Sequence, residues 1–181
     1  MQQPIVISGA GILGCYISCA LSLQGINSIV LEKKDDEVED SVRTITLNPF
    51  SKNLLDKIGI ENDYSMINKM EVKDFDGTGK IVFKSSEIGM DHLAYVSDFT
   101  TLLMAVRKKA SEKILYKEEI IAIDNKGDLN EVTLSSGKVI KTSLIISSDG
   151  KNSKLANKIP KSDKDYFQTA LTFLALSLIH I

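Results

Sequence analysis

The sequence has little of several residue types, and the scarcity of cysteine and histidine argues against disulfide-stabilised and metal-binding proteins. It contains no tryptophan, three prolines, two cysteines and two histidines. Cys15 and Cys19 lie four residues apart in a predicted helix, and consecutive helical turns make a poor disulfide, so we expect two apolar packing residues. With two histidines and no cluster of cysteine and histidine, we expect no metal site.

The sequence also has no large excess of positive or negative charge and no long apolar run. The formal net charge is −2, with 22 basic and 24 acidic residues, so no basic surface for nucleic acid is predicted. The apolar tail from Thr169 to Ile181 is too short to span a bilayer. Because Met1 comes close to the first predicted strand, we expect no signal peptide. We expect a cytoplasmic protein, with peripheral contact at the inner face of the membrane left open.

Two short apolar runs flank a predicted helix near the N-terminus. Residues Pro4–Ser8 and Ile26–Leu31 are mostly apolar, which is typical of parallel strands covered on both faces. Ile12–Leu23 between them is apolar with small residues, and Gly25 is a helix stop. This order predicts a βαβ unit, and the fold class is α/β with a Rossmann-like sheet.

The middle of the chain breaks the simple alternation of strand and helix. Inserted strands are predicted at about 67–84 and 114–141, the first as a hairpin about a Gly-containing turn. Asp98 or Thr100 caps a helix that runs to about Ser111. A last buried strand, Ser143–Ser147, ends just before Asp149 and Gly150. We therefore expect strand-rich material inserted within a nucleotide-binding sheet.

The turn after the first strand has the pattern G-x-G-x-x-G. Gly9 permits a tight turn, Gly11 lets the backbone approach a diphosphate, and Gly14 lets the helix lie close to the sheet. The helix N-terminus then offers amides and a positive dipole to the phosphates. The pattern follows a strand and opens a helix, as a dinucleotide site requires.

Glu32 ends the second predicted strand, about 20 residues past the glycines. A carboxylate at this place accepts hydrogen bonds from ribose hydroxyls, and it repels the 2′-phosphate of NADP. FAD and NAD both satisfy the motif, so these residues leave the two dinucleotides open.

Three later segments carry a resemblance to a known family. They are Ser41–Leu47, which contains Arg43, the run Leu144–Ser153, which contains Asp149 and Gly150, and Tyr166–Leu171. With the glycine motif, they make the chain resemble the FAD-dependent aromatic-ring hydroxylases of the para-hydroxybenzoate hydroxylase type. Within that family the chain is most similar to the ubiquinone-biosynthesis hydroxylases.

The resemblance implies a cofactor, a reaction and further site residues. Arg43 would contact the FAD, and the motif of Asp149, Gly150 and Ser153 would serve the FAD diphosphate and the use of NAD(P)H. NAD(P)H would be a transient reductant, O2 the oxidant, and the substrate an aromatic ring, including a polyprenylated phenol. The implied domains are an FAD-binding part at 1–166 and the start of a substrate domain at 167–181. No catalytic residue is assigned, because the cofactor performs the difficult chemistry.

The sequence also departs from the family pattern. Ser148 replaces the usual alanine before the Asp-Gly pair, and Ala156 replaces a usual arginine. Family members are about twice as long, and the tail after Leu171 does not follow their pattern. We therefore expect an N-terminal fragment, truncated before the second half of the fold. Such a fragment would associate with a complementary fragment or with itself. The alternatives are an inactive FAD-binding fragment of a split gene and, less favoured, an NAD-dependent dehydrogenase.

Overall fold

The computed structural model describes residues 3–38, 41–74, 77–150, 153, 155 and 166–169. The α-helices in this part of the chain are α1 (Ile12–Leu23), α2 (Pro49–Lys57) and α3 (Phe99–Ala110). The strands there are β1 (Ile5–Ser8), β2 (Ser28–Glu32), β3 (Thr44–Leu47), β4 (Ser65–Ile67), β5 (Lys69–Lys73), β6 (Lys80–Lys84), β7 (Ala94–Asp98), β8 (Ile114–Tyr116), β9 (Ile120–Asn125), β10 (Asn130–Leu134), β11 (Val139–Thr142) and β12 (Ile145–Ser147).

A four-stranded parallel sheet forms the centre of the fold. Its strand order is β12-β1-β2-β8, and every neighbouring pair is parallel. The helix α1 connects β1 to β2, so the predicted βαβ unit and the α/β fold class are confirmed. Because the strands are parallel, their carboxyl ends meet at one edge, where ligands bind in open α/β sheets.

The central sheet is covered on both faces, which explains why its strands are mostly apolar. Ile7 and Val30 point to the face covered by the helices, where Leu102 and Val106 of α3 complete the core. Their chain neighbours point the other way, into a second cluster with the antiparallel sheet β11-β10-β9. That cluster consists of Val6, Leu31, Val132, Leu134 and Ile140.

Three strands of the connection between β2 and β8 were not predicted. They are β3, β4 and β7, which form the antiparallel sheet β3-β7-β4. The prediction for Ile114–Tyr116 was also wrong in one respect. This strand, β8, was grouped with the inserted strands, but it pairs with β2 as an edge of the central sheet. The division into domains at residue 166 stays a prediction.

Side-chain caps fix two of the helix starts. Asn48 Oδ1 accepts a hydrogen bond from Ser51 N at 2.7 Å before α2, and Asp98 Oδ1 accepts from Thr101 N at 2.7 Å before α3. These bonds satisfy amides that lack a partner within the helix. Asp98 was one of the two predicted caps of α3.

No helix in the described ranges is long and apolar enough to cross a membrane. In the same ranges, no group of three or more His, Cys, Asp or Glu side chains could hold a metal ion.

The thiol of Cys15 provides a test of the core between α1 and the sheet. Its side chain is fully buried, and burial raises its pKa to about 12, although nearby Arg107 partly opposes this. We expect a thiol reagent at pH 8 to leave Cys15 unmodified until the protein is unfolded, because the thiolate is the reactive form. The unfolded thiol ionises near pH 9 while the folded one stays protonated, so the free energy of unfolding should fall as pH rises above 9. Rapid labelling of Cys15 in the native protein, measured by mass spectrometry, would contradict this packing.

Candidate functional site

The predicted cofactor residues meet at the carboxyl edge of the central sheet. A cavity of about 590 Å³ lies there, between the ends of β1, β2 and β12. Six of the seven residues that the sequence predicted for the cofactor line it: Gly9, Gly11, Glu32, Arg43, Asp149 and Gly150. The seventh, Gly14, is buried below the loop at the start of α1.

Gly9 and Gly14 make the close packing beneath the cavity possible. A Cβ on Gly14 would overlap the carbonyl oxygen of Gly9 and would lie 2.6 Å from Ser148 Oγ. Gly9 has a φ of +99°, and a Cβ there would lie 2.7 Å from the Ser148 carbonyl oxygen. Both contacts are shorter than real Cβ atoms allow, so side chains at these positions would push α1 away from the strand ends.

Gly11 differs from the other two glycines of the motif. Its backbone is extended, with φ −75° and ψ 178°, and a Cβ built on it meets no protein atom within 4 Å. The protein itself therefore does not require glycine at this position. A glycine that lines a cavity and faces open space is what close approach of a diphosphate to the backbone would require.

The N-terminus of α1 is open to an anion. Gly11 is the residue before the helix, so no side chain caps the first-turn amides, and that turn contains no acidic residue. Amides in a first helical turn have no partner within the helix, and the helix dipole adds positive potential. This end of α1 therefore fits a diphosphate group.

Ser148 holds the glycine loop from the neighbouring strand end. Its backbone N–H donates to Ser8 O at 2.8 Å, and its hydroxyl lies 2.8 Å from Ser8 O and 3.0 Å from Gly9 O. The sequence identified this serine only as a departure from the family pattern. Its hydroxyl adds a link between β12 and the loop that an alanine could not make.

Glu32 is held in place by backbone amides on both of its carboxylate oxygens. Oε2 accepts from Ala10 N at 3.0 Å, and Oε1 accepts from Lys34 N at 3.1 Å. A carboxylate has about four acceptor positions, so acceptor capacity remains for ribose hydroxyls. The side chain is 12% exposed, so it is well shielded while it lines the cavity.

Arg107 of α3 also reaches the site, and sequence reasoning did not assign it. Its Nε donates to Ala10 O at 2.9 Å, and its Nη2 lies 3.5 Å from Glu32 Oε2. It lines the same cavity as the glycine loop. No local motif marks this residue, because its partners are 97 and 75 positions away in the chain.

Arg43 and the Asp-Gly pair complete the rim of the cavity. The Arg43 guanidinium carbon lies 4.6 Å from the centre of the Phe99 ring, which is a cation–π distance. Asp149 Oδ2 accepts from Ser153 Oγ at 3.1 Å, and Ser153 Oγ lies 2.7 Å from Ser147 Oγ. Gly150 has a φ of +75°, which favours glycine in this turn. The predicted substitution of a family arginine at Ala156 lies outside the described residues.

A larger groove of about 850 Å³ lies elsewhere, at the ends of α1 and α3. It is lined by Lys108, Lys109 and Lys113 among other residues, and by none of the predicted cofactor residues. Size alone therefore does not identify the site. The smaller cavity has the open helix N-terminus and the shielded carboxylate that a dinucleotide requires.

A parallel sheet with a glycine loop, an open helix N-terminus and a ribose-type carboxylate defines a dinucleotide-binding domain. The chain belongs to the family described as FAD binding domain, whose model matches residues 2–179. The predicted family and the FAD cofactor are therefore confirmed.

Two curated relatives have names that refer to ubiquinone or to a ubiquinol. It is 26% identical over 197 residues to the mitochondrial ubiquinone biosynthesis monooxygenase COQ6 of Danio rerio, covering 92% of this chain and 40% of that protein. It is 28% identical over 170 residues to the 3-demethoxyubiquinol 3-hydroxylase of Escherichia coli K12, covering 85% of this chain and 43% of that protein. The chain thus spans about two fifths of the length of these relatives.

Solved structures share the fold. The PqsL mutant of P. aeruginosa has a TM-score of 0.76 at 20% identity, covering 92% of this chain and 48% of that chain. The p-nitrophenol 4-monooxygenase PnpA of Pseudomonas putida DLL-E4 has a TM-score of 0.71 at 17% identity, covering 87% of this chain and 43% of that chain.

Alanine substitutions at two glycines should separate binding from packing. Gly11→Ala places its Cβ in open space, so we expect an almost unchanged melting temperature and FAD affinity about tenfold weaker or more. Gly14→Ala forces a Cβ against backbone, which should cost on the order of 1–3 kcal/mol and lower the melting temperature by several degrees. Calorimetry with and without FAD measures both effects. Equal FAD affinity in Gly11→Ala and wild type would exclude the loop as the diphosphate site.

Proposed function

We propose that this chain is the FAD-binding part of a flavoprotein monooxygenase that hydroxylates an aromatic ring with NAD(P)H and O2, in ubiquinone biosynthesis. The observation that carries the proposal is the family match over residues 2–179, together with two curated relatives that are named as a ubiquinone biosynthesis monooxygenase and a 3-demethoxyubiquinol 3-hydroxylase. The cavity at the carboxyl edge of the sheet supports it, because its lining residues fit a dinucleotide.

The roles of the chain's own residues follow from their chemistry. The amides at the start of α1, next to Gly9, Gly11 and Gly14, would hold the diphosphate. Glu32 would accept hydrogen bonds from the ribose hydroxyls. Arg43 and the pair Asp149 and Gly150 would contact the rest of the cofactor from the rim of the cavity.

Bound FAD supplies the redox chemistry, by accepting electrons from NAD(P)H and activating dioxygen for transfer to the ring. The residues of this chain bind and orient the cofactor and exclude water from its adenosine and diphosphate end. No catalytic residue is assigned on this chain.

A second candidate is an FAD-binding chain that does not turn over by itself. The chain spans about two fifths of the length of its curated relatives, so more than half of each relative lies outside the matched part. The proposed partners are then a complementary chain or a second copy. One face of the β5–β6 hairpin supports this, because its side chains are 41–58% exposed although they are apolar: Met70, Val72, Ile81 and Phe83. A polyprenylated phenol substrate would also imply peripheral contact with a membrane.

Identification of the bound cofactor tests the proposal. We expect the purified protein to release FAD, and not NAD, on heat denaturation, with the nucleotide identified by mass spectrometry. We expect Glu32→Gln to bind FAD several-fold more weakly, since a charged hydrogen-bond acceptor is lost. Release of NAD instead, or no change of melting temperature at saturating FAD, would contradict FAD binding.

Turnover separates the two candidates. The FAD-loaded chain is mixed with NADH or NADPH, O2 and a polyprenylated phenol, and hydroxylated product is measured by mass spectrometry. Product formation supports the monooxygenase. The second candidate is supported if the chain binds FAD but forms no product, and if product forms once the remaining part of a longer relative is added as a separate chain.

A further inference from the structure

Arg107 closes a ring of interactions around Ala10, the residue between the first two glycines of the motif. Ala10 N donates to Glu32 Oε2 at 3.0 Å, and Ala10 O accepts from Arg107 Nε at 2.9 Å. Arg107 Nη2 lies 3.5 Å from the same Glu32 oxygen. Both backbone polar groups of Ala10 are thus tied to a charged pair formed by α3 and the end of β2.

The pair is shielded from water. The side chains of Arg107 and Glu32 are each 12% exposed, so their interaction is weakened by solvent less than a surface pair would be. The Arg107 guanidinium carbon also lies 5.8 Å from the centre of the Tyr116 ring on β8. The guanidinium is therefore held by contacts from three sides: the loop, β2 and β8.

The pair has an electrostatic consequence for a bound dinucleotide. A diphosphate at the start of α1 brings negative charge close to the carboxylate of Glu32, and like charges in a shielded site repel. The positive charge of the Arg107 guanidinium offsets this repulsion. Its planar fork can meet a carbonyl and a carboxylate together, which a lysine ammonium on a single stem does less well.

We propose that Arg107 is a positioning residue of the FAD site. It fixes the glycine loop through Ala10 O and holds Glu32 in place for the ribose, so that amides and carboxylate are in place before the cofactor arrives. The inference deepens the proposed function and rests on it for the identity of the ligand. Preorganisation of this kind raises affinity because less ordering is left to occur on binding.

The first test uses the protein without ligand. Hydrogen exchange of the Ala10 amide, measured by NMR, is compared in wild type, Arg107→Met, Arg107→Lys and Lys108→Met. Lys108 is the matched control, since it is exposed, basic and in the same last turn of α3. We expect Ala10 exchange to rise about tenfold or more in Arg107→Met, to rise less in Arg107→Lys, and to stay at the wild-type value in Lys108→Met. Unchanged exchange in folded Arg107→Met, or an equal rise in Lys108→Met, would overturn the proposal.

The second test is a double-mutant cycle on FAD affinity. Arg107→Met should weaken FAD binding about tenfold, or about 1.4 kcal/mol, and Arg107→Lys should recover part of that loss. In the Glu32→Gln background the same change should cost less than threefold, because Arg107 acts partly through that carboxylate. If the two substitutions weaken FAD binding by independent factors that multiply in the double variant, the coupling between Arg107 and Glu32 is overturned.

The two tests also separate this inference from the proposed function. If wild-type protein binds no FAD but Arg107→Met still frees the Ala10 amide, the cofactor assignment fails while Arg107 remains the residue that holds the loop. If wild type binds FAD and Arg107→Met binds it equally well, the cofactor assignment stands and the positioning role fails.

Discussion

The site depends on the close approach of α1 to the ends of β1 and β12. This approach is possible because Gly14 has no Cβ to overlap the carbonyl oxygen of Gly9, and Gly9 has none to meet the backbone of Ser148. The approach brings the uncapped start of α1 to the edge of the sheet, beside the cavity. The other features of the candidate site lie around this helix end.

Long-range contacts then fix the loop that the glycines permit. Ser148 binds the carbonyl groups of Ser8 and Gly9 from the adjacent strand, and Arg107 binds that of Ala10 from α3. Glu32 receives the Ala10 amide. The amides of the first helical turn have no such side-chain partner. Loop carbonyls are thus held by the protein, while the helix end remains available to a ligand.

The sequence was sufficient for the features that rest on local patterns. The period and spacing of the first 32 residues predicted β1, α1, β2 and the placement of Glu32, because each depends on neighbours in the chain. The pairing of β3 with β7 and of β8 with β2 could not be predicted from local patterns, since strands that are far apart in the sequence leave no periodic signal of their pairing. For the same reason Arg107 was left unassigned, since its partner Ala10 is 97 positions away. From the sequence, Ser148 was identified only as a replacement for the usual alanine of the family. Its hydroxyl contacts give a physical reason for serine at this position.

We infer that the open amides at the start of α1 receive the diphosphate of FAD. The most direct measurement is an NMR titration of the protein with ADP, which carries the diphosphate and ribose without the flavin. We expect the amide signals of Gly11, Ile12 and Leu13 to shift most, since hydrogen bonds to phosphate act on those protons directly. Largest shifts at the groove lined by Lys108, Lys109 and Lys113, with the amides of residues 11–13 unmoved, would contradict it.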